Sequence, residues 1–165
     1  MNLFEYIIDV PNWPTDGVTY KDISPLLANA TAFDHALEKM QCDLLPDYWI
    51  GIESRGFIFA SAMAQKFGGG ILMVRKKGKL PPPVISKTYT LEYGSDTLTM
   101  KEGEGKGVIV DDVLATGGTL SATHELCKKA GYDVIATTVL LELGFLNARN
   151  KLAAEHPIYS ALNIE

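Results

Sequence analysis

The sequence predicts an α/β fold, with an open, mostly parallel, twisted sheet flanked by helices. Strand-like and helix-like apolar patterns alternate along the chain, as they do in βαβ units. The segment 108-VIVD-111 is apolar on both faces, as expected of a parallel strand covered by helices on each side. The strand, helix, strand order that begins there predicts a right-handed crossover. With 165 residues the chain suits one hydrophobic core, and we expect a single domain over residues 1–165.

The composition is ordinary for a globular protein, with 47% apolar and 21% charged residues. The net charge of −5 disfavours nonspecific attraction to nucleic acid or to anionic membranes, so we expect neither as a partner. The longest apolar run, 134-VIATTVLL-141, is too short to span a bilayer. The first ten residues, MNLFEYIIDV, carry acids where a signal peptide would carry positive charge. We therefore expect a cytoplasmic protein.

The first half of the chain predicts two helices and two strands. Apolar residues at helical spacing, among them Phe33, Leu37 and Met40, define the first helix, and Thr31 stands where an N-cap is expected. Three glycines after Phe67 predict the end of the second helix. In order, the predicted elements are a helix over 32–40, a strand over 48–54, a helix over 57–67 and a strand over 71–75.

A long loop is predicted over residues 76–87, because the three prolines of 81-PPP-83 are incompatible with a helix or a central strand. Helices and strands are predicted again after this loop, and residues typical of turns or helix ends mark their boundaries. In order, these are a hairpin with strands 88–91 and 97–100 around a turn at 93–96, the strand 108–111, a helix over 119–130 that ends at Gly131, and a buried strand over 133–141.

Two adjacent carboxylates stand directly before a glycine-containing loop in 107-GVIVDDVLATGGTLSAT-123. Asp111 and Asp112 end the apolar strand, at the sheet edge where open α/β proteins bind ligands. The loop Ala115–Thr119 opens a helix, and its amides together with the helix dipole favour an anion such as phosphate. The carboxylates would repel phosphate, so they suit sugar hydroxyls or a divalent cation. The stretch predicts a phosphorylated-sugar site; the alternative is a plain strand-to-helix turn with an aspartate cap.

Other common sites find no support in the sequence. Neither GxxxxGK[ST] nor GxGxxG occurs, which disfavours a Walker loop and a dinucleotide site. Cys42 and Cys127 lack CxxC spacing, so we expect them to be buried apolar side chains. His35, His124 and His156 show no metal-ligand spacing.

Four segments carry a pattern that extends well beyond the carboxylate pair. They are 16-DGVTYKDISPLL-27, 51-GIESRGFIFA-60, 74-VRKKGKLPPPVISKTYTLEYG-94 and 109-IVDDVLATGGT-119, all within residues 9–143. Together they resemble the type I phosphoribosyltransferases, and in particular the members that use adenine. The motif around Asp111 and Asp112 is shared by many members and some regulators, whereas KGKLP and LEYG are more specific to the adenine enzymes.

The resemblance implies a purine-salvage transferase. The 5-phosphoribosyl group of phosphoribosyl pyrophosphate would pass to N9 of adenine, giving AMP and pyrophosphate. The resemblance also implies Mg²⁺, carried mainly by the substrate rather than by a dedicated protein site, and a homodimer. In the same family a long flexible loop, here residues 76–90, closes over the substrate.

The resemblance assigns the polar residues of these segments to parts of the substrate. Asp111 and Asp112 would hold the ribose 2′- and 3′-hydroxyls. The basic cluster in the loop would stabilise the departing pyrophosphate, because cations aimed at a leaving group lower the barrier. The 5′-phosphate loop would consist of Ala115, Thr116, Gly117, Gly118 and Thr119. The pyrophosphate contacts would be Glu53, Ser54, Arg55, Arg75, Lys76 and Lys79, with Lys77 left to solvent.

Two residues are expected to act in the chemical step. Glu92, in 91-LEYG-94, is positioned by resemblance as the acid/base group, which takes the proton that adenine loses as N9 attacks C1 of the ribose. Arg55 is the second expected catalytic residue, next to the leaving group and near the base. Tyr93 is expected to help close the loop and so to exclude water from the activated sugar.

The expected base site consists of Val18, Thr19, Tyr20 and Lys21. Family members commonly have phenylalanine and arginine where this chain has Tyr20 and Lys21. Tyrosine keeps an aromatic face for stacking on a purine, whereas lysine lacks the planar fork of arginine. Tyr20 as core packing is the alternative. Two other functions also remain open: a related transferase that prefers hypoxanthine or guanine, and a non-catalytic regulator that senses phosphoribosyl pyrophosphate.

Overall fold

The computed structural model describes residues 1–91, 93–152 and 156–165. The chain divides into two compact units, residues 1–39 and residues 40–165. The expectation of one domain over residues 1–165 stays a prediction. In the described part of the chain, no helix combines the length and the apolar character needed to cross a membrane.

The first unit contains a small antiparallel ribbon and short helices. Asp9 pairs with Lys21 across the ribbon. The predicted helix over 32–40 is confirmed, but it begins two residues earlier, at Ala30, so Thr31 is not its N-cap. Oδ1 of Asn29 accepts a hydrogen bond from the N–H of Ala32 (2.9 Å). The elements are a 3₁₀ helix Leu3–Tyr6, strands β1 Ile8–Pro11 and β2 Thr19–Asp22, and helices α1 Ser24–Ala28 and α2 Ala30–Met40.

The second unit is built around one sheet. Its strands are β3 Tyr48–Ile52, β4 Gly70–Lys76, β5 Ile85–Leu91, β6 Gly94–Met100, β7 Gly105–Leu114, β8 Tyr132–Leu143 and β9 Ile158–Ile164. Among the described residues the order is β5-β6-β4-β3-β7-β8-β9. Strands β4, β3, β7, β8 and β9 run parallel, and the β5–β6 hairpin adds to β4 in antiparallel fashion. The predicted open, mostly parallel sheet is confirmed.

Helices cover both faces of this sheet. They are α3 Arg55–Phe67, α4 Gly118–Ala130 and the short α5 Ala148–Lys151, which follows a 3₁₀ turn at Gly144–Leu146. A Cβ placed on Gly51 of β3 would lie 2.9 Å from Ala60 of α3, whereas Ile50 packs in one core cluster with Leu126 of α4. Neighbouring strand residues point to opposite faces, so α3 and α4 lie on opposite sides.

Both cysteines are buried and free, as predicted, with Cys42 1% and Cys127 0% exposed. Burial raises the pKa of the Cys127 thiol to about 12, so it stays protonated at neutral pH. His35 and His124 lie on helices α2 and α4, again as predicted.

The observed elements differ from the predicted ones mainly at their ends. Helix α3 begins at Arg55, two residues early, and β7 continues past Asp112 because Val113 still pairs with Leu141 of β8. The hairpin is confirmed with longer strands, since Leu91 pairs with Gly94. The ribbon β1–β2 and strand β9 were not predicted.

Candidate active site

Asp111 and Asp112 lie near the carboxyl end of β7, a strand inside the sheet. Asp112 is 6% exposed and Asp111 is half-buried. Oδ1 of Asp111 accepts a hydrogen bond from the backbone N–H of Asp112 (2.9 Å). Burial, and then the charge of Asp112, raise the pKa of Asp111 well above its usual value. A carboxylate pair in such a poorly solvated position favours a bound hydrogen-bond donor or cation.

The segment Ala115–Thr119 joins β7 to α4 and lines a cavity of about 90 Å³. Gly117 has φ 87°, a left-handed conformation that glycine adopts without steric cost, and it directs the chain into α4. No side chain in the described part of the chain caps this helix, so its first amides remain available to an anion. The cavity is lined by Asp111, Val113, Leu114, Ala115, Thr116, Gly117, Thr119 and Leu120.

The structure therefore brings the first predicted ribose carboxylate and the predicted phosphate loop to the same cavity. Gly118, the remaining member of that loop, is the first residue of α4. Thr119 lies in the first turn of the helix, where its backbone oxygen accepts a hydrogen bond from the Thr123 hydroxyl (2.8 Å).

The turn between β3 and α3 carries Glu53, Ser54 and Arg55. The peptide bond between Glu53 and Ser54 is cis. Arg55 is the first residue of α3, and its Nε lies 2.6 Å from Oδ2 of Asp112. The contact is an ion pair rather than an aligned hydrogen bond, because the N–H does not point at that oxygen with hydrogen-bond geometry. Arg55 thus lies beside the predicted ribose pair.

Gly56 allows α3 to approach β7 closely. A Cβ at this position would lie 2.7 Å from the backbone oxygen of Val110 and 3.1 Å from Oδ1 of Asp111. Real side chains do not tolerate such a distance to backbone, so the close contact between helix and strand depends on glycine.

A second cluster joins four of the predicted pyrophosphate residues. Nε of Arg75 donates to Oε1 of Glu53 (2.9 Å), and Nη1 donates to the backbone oxygen of Lys79 (3.3 Å). The backbone N–H of Lys76 donates to Oε2 of Glu53 (3.3 Å). The Arg75 guanidinium also lies 5.7 Å from the centre of the Phe57 ring. Glu53 therefore orients Arg75 and the start of the loop.

The lysines of the loop differ in their surroundings. Lys76 is exposed, and its Nζ lies 3.3 Å from Oδ2 of Asp96 on β6. Lys77 and Lys79 are exposed, and Lys77 is attached through its backbone N–H to the oxygen of Thr97 (2.9 Å). These exposed lysines thus follow Arg75 along the chain, and backbone atoms of Lys76 and Lys79 contact the Glu53–Arg75 pair.

Glu92, the predicted acid/base residue, lies outside the described residues. Tyr93 is described, follows directly after it, and is 91% exposed in the turn before β6. Its predicted role in loop closure stays a prediction.

In the first unit, Tyr20 packs against Trp13, a residue that sequence reasoning missed. The ring centres lie 4.5 Å apart at 68°, an edge-to-face contact. Both rings line an open cavity of about 320 Å³ together with Val10, Asp22 and Ser24. Trp13 lies in the sequence between the ribbon strands, and a tryptophan directly before a proline was the available signal.

The other predicted base residues are placed differently. Nζ of Lys21 lies 2.6 Å from Oδ1 of Asp9, and the Lys21 side chain is only 12% exposed. Val18 is 43% exposed, and Thr19 begins β2. Lys21 therefore holds the two strands of the ribbon together, a contact that spacing along the sequence did not indicate.

The fold and the carboxylate-and-loop site define a phosphoribosyltransferase. The sequence profile of the family described as "Phosphoribosyl transferase domain" matches residues 20–165. Within that family, the chain belongs to the adenine phosphoribosyltransferases. A relative from Bdellovibrio bacteriovorus with that name is 50% identical over 150 residues, which is 89% of this chain and 91% of that protein.

Solved structures lead to the same family. The adenine phosphoribosyltransferase of Thermoanaerobacter pseudethanolicus is 38% identical with a TM-score of 0.90, covering 99% of this chain and 100% of that one. The enzyme from Saccharomyces cerevisiae, solved in complex with an imino-altritol bisphosphate and adenine, is 32% identical with a TM-score of 0.89. That match covers 97% of this chain and 96% of that one.

Proposed function

We propose that this chain transfers the 5-phosphoribosyl group of phosphoribosyl pyrophosphate to N9 of adenine, releasing AMP and pyrophosphate. The observation that carries the proposal is the shared cavity at the end of β7, where Asp111 meets the loop Ala115–Thr119. Carboxylates accept hydrogen bonds from sugar hydroxyls, and the start of a helix binds phosphate. The two features therefore match the two ends of a ribose 5-phosphate. The names of the similar proteins supply the base.

In this proposal, Asp111 and Asp112 accept hydrogen bonds from the ribose 2′- and 3′-hydroxyls. The raised pKa of Asp111 supports such a role, because hydroxyl donors would replace the solvation that burial removes. Arg55, in contact with Asp112, orients that second carboxylate. The amides of Ala115 to Thr119 bind the 5′-phosphate at the start of α4.

The leaving group is the second element of the mechanism. As the bond from N9 to C1 forms, the C1–O bond breaks and pyrophosphate departs with the electron pair. Arg75, held by Glu53, and the exposed Lys76 and Lys79 provide positive charge for that group. Preorganised charge stabilises the transition state without further reorganisation. Ser54 belongs to the same proposed pyrophosphate-binding turn.

Proton transfer is assigned to Glu92, which takes the proton lost by the purine ring and returns it in the reverse reaction. Tyr93 is proposed to close over the site, since its exposed ring lies in the turn next to Glu92. Water excluded by such a closure cannot hydrolyse the activated sugar.

Recognition of the base is proposed for the predicted residues Val18, Thr19, Tyr20 and Lys21. Tyr20 offers a ring for stacking, held at its edge by Trp13, and backbone groups of Val18 and Thr19 would recognise the purine edge. The contact between Lys21 and Asp9 argues for an indirect role of Lys21, through the shape of the ribbon.

Magnesium fits the residues present. Mg²⁺ in nucleotide and phosphate sites is usually held by one or two carboxylates together with substrate oxygens, and Asp111 and Asp112 offer such carboxylates. When bound, it would neutralise charge on the pyrophosphoryl group. Among the described residues, no cluster of three His, Cys, Asp or Glu side chains is placed to hold a metal, so substrate oxygens would complete its coordination.

A homodimer and a cytoplasmic location are part of the same proposal. Ile58, Ile71 and Met73 in the second unit are large apolar side chains that are 42%, 47% and 45% exposed. Ile71 and Met73 line one cavity together, and contiguous exposed apolar groups are typical of protein–protein contacts. Light scattering at two protein concentrations would measure the assembly state.

The proposal is tested by incubating the purified protein with phosphoribosyl pyrophosphate, Mg²⁺ and one base at a time. We expect AMP from adenine, with far less IMP from hypoxanthine or GMP from guanine. Dominant IMP or GMP would assign the related transferase. Binding of the sugar donor with no product from any base would indicate a regulator. The variant Asp111→Asn, with its carboxylate removed, is the matched inactive control.

A further inference from the structure

Arg149 and Glu142 form an ion pair within a hydrogen-bond network at the end of the sheet. Nε of Arg149 donates to Oε1 of Glu142 (2.7 Å), and Nη2 donates to Oε2 (2.8 Å), which is the two-pronged geometry of strong arginine–carboxylate pairs. Nη1 donates to the backbone oxygen of Ile158 (2.6 Å). The hydroxyl of Ser160 donates to Oε2 of Glu142 (2.9 Å) and accepts from Nη2 (3.2 Å).

The network ties three elements together. Glu142 belongs to β8, Arg149 to α5, and Ile158 and Ser160 to β9. Glu142 is 5% exposed. Its pKa is lowered, because the hydrogen bond from Arg149 outweighs burial, which alone would raise it. A buried carboxylate of this kind is stable only while its partner is in place, so the position of α5 is tightly restrained.

Helix α5 forms the wall behind the 5′-phosphate loop. Ala148, next to Arg149, is 2% exposed and packs in the main core cluster, with Leu152 against it. A Cβ on Gly117 would lie 3.4 Å from Cβ of Ala148 and 3.4 Å from Cγ of Leu152. The left-handed turn at Gly117 that starts α4 therefore rests directly on the segment that Arg149 anchors.

We propose that Arg149 and Glu142 are positioning residues for the 5′-phosphate loop: they hold α5 against Gly117 and thereby set the amides that receive the phosphate. The inference rests on the proposed function of that loop. Neither side chain touches the substrate in this scheme. Displacing a catalytic or binding group by about 1 Å can lower the rate about 100-fold. Loss of this anchor should therefore weaken the interaction of the loop amides with the phosphate.

The test compares four variants with the wild-type protein. Arg149→Lys keeps the charge but not the fork, and Ser160→Ala removes one hydroxyl from the network. The double variant Glu142→Gln with Arg149→Met removes both charges, so no buried charge is left without a partner. Lys106→Met removes an exposed cation near the amino end of β7 and is the control. For each we would measure kcat, both KM values, the melting temperature and the Kd of ribose 5-phosphate by calorimetry.

We expect the double variant and Arg149→Lys to raise KM for phosphoribosyl pyrophosphate and Kd for ribose 5-phosphate at least about fivefold, with KM for adenine within about twofold. Ser160→Ala should show the same split to a smaller extent, and Lys106→Met none. Unchanged constants in folded variants, or both KM values rising together with a lower melting temperature, would overturn the inference. Absence of wild-type transfer with intact ribose 5-phosphate binding would instead count against the proposed function alone.

Discussion

Arg55 and Asp112 lie 2.6 Å apart, as guanidinium Nε and carboxylate Oδ2, and join the first residue of α3 to β7. Asp112 is nearly inaccessible, whereas the Arg55 side chain is 28% exposed. The pair therefore has a buried anion facing a cation that reaches solvent. This geometry keeps a charged carboxylate at the end of a buried strand, where an isolated charge would be costly.

Replacing Asp112 by Asn should lower kcat/KM for phosphoribosyl pyrophosphate about 100-fold, because a hydrogen bond from a sugar hydroxyl to a charged group contributes about 1.5–3 kcal/mol. Steady-state kinetics with varied sugar donor would measure the loss. Asp133→Asn, an exposed carboxylate near the amino end of β8, is the matched control and should leave the rate unchanged. Equal activity of the two variants would contradict the assigned ribose contact.

Gly56→Ala should destabilise the protein by about 1–3 kcal/mol, the usual cost of forcing an extra methyl group into a packed position. The new Cβ would lie 2.7 Å from the oxygen of Val110, so α3 must move away from β7. Urea unfolding measures the change. Gly118→Ala is the control for stability, since its Cβ would meet only Thr116 Oγ1 at 3.9 Å and alanine is the better helix former. Similar losses for both variants would refute the close-approach argument.

Asp111→Asn should raise the free energy of unfolding at neutral pH although it removes activity. The folded protein raises the pKa of Asp111 above its unfolded value of about 3.9, so the ionised form is disfavoured by folding. The contribution of Asp111 is then most favourable below that unfolded value and is lost as pH rises through the folded pKa. The stability difference between variant and wild type should therefore grow from acid to neutral pH.

Glu142→Gln should change the pH dependence of the unfolding free energy in the opposite direction, so it serves as the comparison for Asp111→Asn. Its pKa is lowered in the fold, first by the hydrogen bond from Arg149, so its stabilising effect is present above the unfolded value of about 4.3. That effect is lost as pH falls through the folded pKa, and the variant should be less stable than wild type only above that range. Urea titrations at several pH values test both variants. Parallel curves for Asp111→Asn and wild type would be evidence against a raised pKa.

Glu92→Gln should reduce kcat by about 10²–10⁴, the usual contribution of a general acid or base, with little change in either KM. The amide keeps the size of the side chain but cannot accept the purine proton. Glu104→Gln, an exposed carboxylate between β6 and β7, is the control. A normal turnover rate for Glu92→Gln would remove the acid/base assignment.

The parts of the fold that sequence reasoning predicted best depend on local patterns. Helix α4 was predicted to end at Gly131, and that glycine does end it with φ 104°. The β5–β6 hairpin was also predicted, because alternating residues surround a short turn. The ribbon β1–β2 was missed, since each of its strands has only four residues, which is too short for a pattern of alternation to stand out. Strand β9, which was also missed, is an edge strand that pairs with β8 alone among the described strands.

The chemistry available to this protein can be recognised from neighbouring residues: a carboxylate pair, a glycine-containing loop before a helix, and a cluster of basic residues. Which of these groups meet depends on the folded chain. Glu53 contacts Arg75, 22 residues away, because β3 and β4 run parallel, and Arg149 contacts Glu142 because α5 folds back on the sheet. Such pairings depend on strand order and helix placement, which result from burial of the whole core rather than from any local pattern.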